Sequence, residues 1–594
     1  MTGYTAPTRD MRFVINELGL LPAIQKLPGC EDTNEELVAA VLEEAGKLAG
    51  GVLAPTNASG DAQGAVLENG VVRTAEGFSD AYRQFVDGGW NSVPFDSDYG
   101  GQGLPWLVGI ATEEMWIAAN NAWSLCPMLP MGAIDALTHH GTDAQKDTYL
   151  EKLISGEWTG TMNLTEPHAG SDVGALRTRA VPEGDHYRIK GQKIFITWGE
   201  HDMADNIVHL VLARTPDAPP GSKGISLFIV PKFLVNEDGS LGQRNDLRCV
   251  SLEHKLGIKA SPTCVMSYGD DEGAIGYLVG EENKGLACMF TMMNNARINV
   301  GLSGLAIAER AYQQAVDYAR ERTQGAGPDG KPIAIIHFPD VRRMLLTMKS
   351  QIEAMRALVY DTVTSLDQSR RAEDADARQA AQARVDLLTP VVKAWCTDLG
   401  VEIASIAIQV HGGVGYMEET GAVQHLRDSR IAPIYEGTNG IQAQDLVARK
   451  VLRDSGAAAR TYIEEVRALC DTLGAADGDT AAALAPQLAA GCDALAETTD
   501  WLLAEGKADM ARVLAGATPY LRLFATVAGG AMMARATVAA QASLDTGAGD
   551  PDFYTAKLAS ARFYAENILP QAVGLVAPVR YGHRAVLEFN EAAF

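Results

Sequence analysis

The sequence predicts an α+β protein in which a β-rich segment lies between helical regions, and three observations carry that reading. Apolar residues recur at three- and four-residue spacing from about residue 36 to 158 and again from 283 onward. Between these stretches, residues 159–282 break into short β-rich runs bounded by Gly, Pro, Asn and Asp clusters. Nothing alternates as strand–helix–strand, which argues against a doubly wound nucleotide-binding sheet.

Residues 1–158 read as an N-terminal helical domain with a short N-terminal extension. NEELVAAVLEEAGKLAG, GLPWLVGIATEEMWIAANNAW and DAQKDTYLEKLIS show the helical spacing, and PFDSDYGGQGLP is a turn-rich loop. Residues 159–282 read as an antiparallel β-barrel or sandwich, with strands in TGTMNLTEP, DHYRIKGQKIFITWG, NIVHLVLAR and GISLFIVPKFL. Residues 283–453 carry apolar periodicity long enough for bundle helices. An Ala-rich region, 454–594, reads as an additional helical domain, broken at TGAGDPD.

A chain of 594 residues exceeds what one hydrophobic core supports. Its 47% hydrophobic and 21% charged content is that of a globular protein. The net charge of −25 argues against nucleic acid or an anionic membrane as a main partner. Any anionic ligand must then be held by locally placed arginines and backbone N–H groups. The opening MTGYTAPTRDMRFVINELG lacks an apolar h-region and an Arg/Ser-rich pattern, so a cytoplasmic location is expected. Eight cysteines without a C-x-x-C pair argue against structural zinc and a disulfide framework. The apolar stretch near 511–544 is interrupted by Arg512, Arg522 and Arg535, short of the ~18 uncharged residues a membrane span requires.

Four motifs stand out. Gly325-Ala326-Gly327-Pro328-Asp329-Gly330 matches G-x-G-x-x-G in form but follows a helical segment, so it reads as a loop. Met162-Asn163-Leu164-Thr165-Glu166-Pro167-His168-Ala169-Gly170-Ser171-Asp172 joins a strand to a turn where N–H groups and hydroxyls converge, as a phosphate or polar ring edge requires. Lys193-Ile194-Phe195-Ile196-Thr197-Trp198-Gly199 sets an aromatic two residues from a hydroxyl along a strand, which suits a flat ring. Ile434-Tyr435-Glu436-Gly437-Thr438-Asn439 puts a carboxylate in a tight turn ahead of a helix that Thr438 or Asn439 can cap. Its apolar neighbours favour desolvation, which raises a carboxyl pKa toward that of a general base. Read alone, these are also an ordinary capped turn, a barrel strand and a solvated loop carboxylate.

Together, in this order, MNLTEPHAGSD, KIFITWG and IYEGTNGIQ resemble the acyl-CoA dehydrogenase family over residues 40–453. Glu321-Arg322-Thr323-Gln324 is similar to the family's E-R-x-Q segment, and Gln409-Val410-His411-Gly412-Gly413 to its Q-x-x-G-G loop. The resemblance implies an N-terminal helical domain, a β-domain and a C-terminal four-helix bundle, with FAD as cofactor. It implies that Met162, Leu164, Thr165, Ser171, Phe195 and Thr197 line the flavin, with Thr438 also touching FAD. Arg322, Gln324, Gln409, Gly412 and Gly413 would reach the FAD of a neighbouring subunit in a homodimer. Ser171, Asn294, Arg297, Tyr435 and Gly437 would meet the acyl-CoA, and Glu436 would be the catalytic base. Three positions depart from the family pattern: Gly325 where Phe is frequent, Gly440 where some members have Gln, and Ala296 where a minority keep a catalytic Glu.

The opening TAPTRDMRF and the region after 453 lie outside the common core and resemble the branch that oxidises 3-methylmercaptopropionyl-CoA; fatty acyl-CoA dehydrogenases share part of the pattern. The implied reaction is α,β-dehydrogenation, with electron-transferring flavoprotein as acceptor. An acyl-CoA oxidase would share the core and release peroxide. A DNA-associated, non-catalytic homologue would need a basic C-terminal region, whereas residues 455–594 hold ten Lys/Arg against sixteen Asp/Glu.

Overall fold

The computed structural model describes residues 3–476 and 478–594, with the side chain of Asn294 outside the described set. The chain folds as two compact units, one of residues 45–104 and 115–299, the other of residues 1–44, 105–114 and 300–594.

In the first unit an eight-stranded sheet is built from β1 (Trp158–Asn163), β2 (Arg179–Glu183), β3 (His186–Thr197), β4 (Asn206–Ala213), β5 (Ser226–Pro231), β6 (Leu247–Leu252), β7 (Thr263–Tyr268) and β8 (Ala274–Val279). Its order is β6-β7-β3-β8-β5-β4-β1, with β2 paired to β3. β4 and β5 are buried along their whole length, as their mostly apolar sequences require of central strands. The sheet is not wholly antiparallel: β1 and β4 run parallel. A parallel return needs a long crossover, and the forty-odd residues between the two strands, which include the β2–β3 hairpin, supply it. Helices flank the sheet. The one at Asn121–His140 is apolar on nearly all sides and almost entirely buried, and Asn120 caps it by accepting from the Trp123 N–H at 3.0 Å. The next, Asp143–Ser155, opens on a capping box of Thr142 and Gln145.

The second unit is helical. Its long members are α1 (Gly285–Glu321, from residue 300 onward in this unit), α2 (Pro339–Arg371) and α3 (Ala375–His411), followed by α4 (Ala422–Ser429) and α5 (Asn439–Asp445). α1 and α3 come so close that a Cβ on Gly304 would lie 2.2 Å from the Cys396 carbonyl oxygen, so only glycine fits there. Arg356 of α2 is fully buried, donating to Glu114 at 2.7 Å and to Glu309 at 2.8 Å, while the Tyr360 hydroxyl donates to Glu114 at 2.7 Å. Thr323–Ala326 and Pro332–Ala334 form a hairpin, so the G-x-G-x-x-G match is a turn, as its Pro-Asp-Gly chemistry predicts.

The additional C-terminal helices are α6 (Ala457–Ala475), α7 (Asp479–Glu505), α8 (Ala517–Thr546) and α9 (Pro551–Phe563). α8 passes the length and composition test for a membrane span, yet 83% of its most apolar window is buried, and it packs on α2 and α3. The N-terminal segment joins this region: Arg9 donates to the Tyr554 hydroxyl at 3.1 Å, Asp10 pairs with Lys557, and the Phe13 and Phe553 rings lie 5.6 Å apart. All eight cysteines are free thiols.

Candidate active site

Beyond Asn163 the chain runs along β3 and is fastened to it by main chain and side chain. The Ile194 N–H donates to the Thr165 carbonyl at 3.0 Å, and Lys193 Nζ donates to the Leu164 carbonyl at 3.0 Å. Lys193 also donates to Glu166 Oε1 at 2.9 Å, both side chains being buried. Glu166 accepts three further bonds, from the N–H groups of Arg177 and Thr178 at 2.7 and 3.0 Å and from the Thr178 hydroxyl at 2.6 Å. Burial opposes its ionisation, but Lys193 and these donors outweigh it and hold the carboxyl below its usual range. Burial pulls Lys193 down to about 8 against the attraction of Glu166, so both remain charged at neutral pH.

The Leu164 and Thr165 carbonyls are thus taken by β3, and Met162, Leu164, Thr165 and Thr197 are left half-buried. Within β3 the pairing to β7 slips: Lys193 faces Met266 and Ile196 faces Cys264, so Ile194 and Phe195 share one partner residue. This bulge puts Phe195 in the left-handed region at φ 59° and leaves its ring 58% exposed. A large aromatic held out in a strained backbone is a candidate ligand surface. Glu166 and Ala169 exchange backbone hydrogen bonds at 3.0 Å, closing the turn that presents exposed Ser171. A Cβ at Gly170 would sit 3.9 Å from the Thr165 methyl, so the turn folds back on the strand end. An exposed ring, two half-buried threonine hydroxyls and a turn of N–H groups suit the face and polar edge of a flavin. Arg297 is buried on α1; the Asn294 side chain lies outside the described residues.

In the helical unit the turn after α4 carries Glu436 at φ 54° and Gly437 at φ 83°. A non-glycine residue there costs energy, and the surroundings hold it in place. The Tyr435 N–H donates to the Ile431 carbonyl at 3.1 Å and the Asn439 N–H to the Pro433 carbonyl at 3.0 Å. Thr438 caps α5, accepting from the Ile441 N–H at 3.2 Å, as its place in the sequence predicts. Glu436, Tyr435 and Gly437 are half-buried and Thr438 exposed. Burial, then the neighbouring Glu436, pushes the Tyr435 phenol well up.

Arg322 and Gln324 begin the hairpin after α1 and are exposed, with Arg322 Nη2 donating to Gln324 Oε1 at 3.4 Å. Gln409, Gly412 and Gly413 end α3 and are exposed as well. The stacked rings of Tyr318 and His411, 4.5 Å apart, bring the two segments together at one end of the bundle.

Sequence reasoning missed the residues behind this surface. Lys193 falls in the inward phase of β3 with Ile189, where a lysine demands a buried partner. Lys393, in TPVVKAWCTD, is likewise a cation inside an apolar helix, and its Nζ bonds the turn around Glu436.

Residues 33–157, 161–270 and 283–452 match the acyl-CoA dehydrogenase N-terminal, middle and C-terminal domains, and residues 462–590 match an acetyl-CoA dehydrogenase C-terminal-like domain. The chain belongs to the acyl-CoA dehydrogenase family, FAD-dependent oxidoreductases acting on acyl-CoA thioesters. It is 50% identical to the 3-methylmercaptopropionyl-CoA dehydrogenase of Ruegeria pomeroyi, over 95% of this chain and 96% of that one. A butyryl-CoA dehydrogenase of Syntrophomonas wolfei is 35% identical over 100% of this chain and 99% of its own. Caenorhabditis elegans ACDH-11, solved in complex with C11-CoA, shares the fold with a TM-score of 0.76 over 99% of this chain and 96% of that one, at 22% identity.

Proposed function

We propose that this chain dehydrogenates 3-methylmercaptopropionyl-CoA to 3-methylmercaptoacryloyl-CoA, with Glu436 as the base. The observation that carries the base is the strained, fastened turn: Glu436 is held at φ 54° with Gly437 and Thr438 beside it. A partly desolvated carboxylate at a fixed angle is what α-proton abstraction asks for. Its backbone N–H would donate to the thioester carbonyl and stabilise the developing enolate. FAD, when bound, supplies the acceptor for the β-hydride. Ala296 leaves no second carboxylate where a minority of the family keep one.

Met162, Leu164, Thr165, Ser171, Phe195, Thr197 and Thr438 serve the flavin in this reading. Asn294, Arg297, Ser171, Tyr435 and Gly437 serve the substrate. The enzyme works as a cytoplasmic homodimer, with Arg322, Gln324, Gln409, Gly412 and Gly413 completing the neighbour's FAD site and an electron-transferring flavoprotein as acceptor. The 50% identity over nearly the whole length favours the sulfur substrate. A second reading, a short-chain fatty acyl-CoA, has the full-length butyryl-CoA dehydrogenase likeness behind it.

A dye-reduction assay with 3-methylmercaptopropionyl-, butyryl-, octanoyl- and palmitoyl-CoA separates the two readings by kcat/KM. In the same assay Glu436→Gln keeps FAD and binds acyl-CoA but turns over about 10³-fold more slowly, within the range general bases supply. A near wild-type rate in that variant removes Glu436 from the mechanism.

A further inference from the structure

We propose that Lys393 is the positioning residue that holds Glu436 in its working geometry, an inference that rests on Glu436 being the base. Lys393 lies in the middle of α3 with its side chain fully buried. Its ammonium donates to the Ala432 carbonyl at 2.9 Å, the Gly437 carbonyl at 2.9 Å and Asn439 Oδ1 at 2.8 Å. An ammonium has three N–H donors, and these three acceptors converge on it. One acceptor precedes Glu436 in the chain and two follow it, so a single nitrogen ties both sides of the turn to one point on α3.

Asn439 extends the fastening. Its amide nitrogen lies within hydrogen-bond reach of the Ala394 carbonyl at 3.1 Å, Thr397 Oγ1 at 3.0 Å and Asp398 Oδ1 at 2.7 Å. From the far side, Gln442 Nε2 donates to the Glu436 and Gly437 carbonyls, both at 3.3 Å.

Packing alone does not call for a charge here. Burying an ammonium is costly, and an apolar residue of similar volume is often as stable or more so. What the ammonium adds is a point of convergence for carbonyls that face one another across the turn. Those bonds hold Glu436 at φ 54°, a conformation that a non-glycine residue leaves when its surroundings slacken. Lys393 therefore acts on the reaction only through Glu436.

Lys393→Met keeps the volume and removes the donors. The expected result in the full-length flavoprotein is a loss of about 10²-fold in kcat, the size of effect that follows from displacing a reacting group by about 1 Å. FAD content and KM for the acyl-CoA should stay within about threefold. The deciding readout is the same substitution in the Glu436→Gln background, where the residual rate should hardly change. An equal loss in both backgrounds, or no loss with Glu436 present, overturns the positioning role. Should Lys393→Met fail to hold flavin, Asn439→Ala, which removes one of the three acceptors, carries the same test with a loss of about tenfold expected. If Glu436→Gln itself keeps the wild-type rate, the base assignment fails first, and that outcome is distinct from a failure of Lys393 alone.

Discussion

Glu113 is set apart from the paired acids of its own unit. Next to it in sequence, Glu114 accepts from Arg356 and Tyr360, whereas both Glu113 oxygens are buried without a hydrogen-bond partner among the described residues. Burial alone lifts its carboxyl from 4.5 to about 8, so the folded protein keeps it protonated at neutral pH. Its stabilising contribution is present in full below pH 4.5, where folded and unfolded states are both protonated, and is lost as pH rises through 8. Wild-type stability should therefore fall by on the order of 2 kcal/mol between pH 6 and 8 through this group. Glu113→Gln should remove that component, and thermal unfolding at the two pH values checks it: equal pH dependence in both proteins rules the effect out. At this scale the sequence named Glu436 but gave no sign of Glu113, because a carboxylate's cost depends on what encloses it. The left-handed φ of Glu436 was equally hidden, since Lys393, whose ammonium fastens the turn, comes from outside the motif.

At the scale of elements, apolar periodicity located helices and strands well and their irregularities poorly. KIFITWG reads as a plain strand, yet the slip between Cys264 and Met266 bulges it and turns Phe195 outward. A bulge is chosen by the partner strand's register, which one strand's residues do not record. The apolar run TPYLRLFATVAGGAMMARATVAAQ is buried where α8 packs on α2 and α3. The contact depends on Gly529: a Cβ there would come within 2.4 Å of the Tyr564 hydroxyl and 2.7 Å of the Trp395 ring. Gly529→Val should lower stability by roughly 1–3 kcal/mol through overpacking while leaving kcat/KM unchanged in the folded fraction. Calorimetry with parallel turnover assays tests it, and an unshifted transition would show that the helices part at no cost.

For the whole molecule, the C-terminal helices and the N-terminal segment work together as a cover on the bundle. Lys557 bonds both Asp10 and Glu353 of α2, and Asp361 of α2 pairs with Arg384 and Arg535. Arg322 and Gln409, at the end of the bundle, remain exposed, and the proposed homodimer would use that end. Arg322→Ala should lower FAD occupancy and weaken the homodimer, because it would remove a charge-assisted contact to the cofactor of the neighbour. Light scattering and flavin absorbance decide this; a fully flavinated monomer of the wild-type protein would end the dimer proposal. The α+β class and membership of the acyl-CoA dehydrogenase family are legible in the amino-acid order alone. Both rest on local periodicity and on short motifs whose residues stand side by side in the chain. The bulge at Phe195, the Glu166–Lys193 clamp, the cradle of Lys393 and the union of residues 3–24 with the C-terminal helices emerge only in the folded chain. Each of these joins groups far apart in sequence, and their energies come from burial and pairing that exist only once the distant partner has arrived.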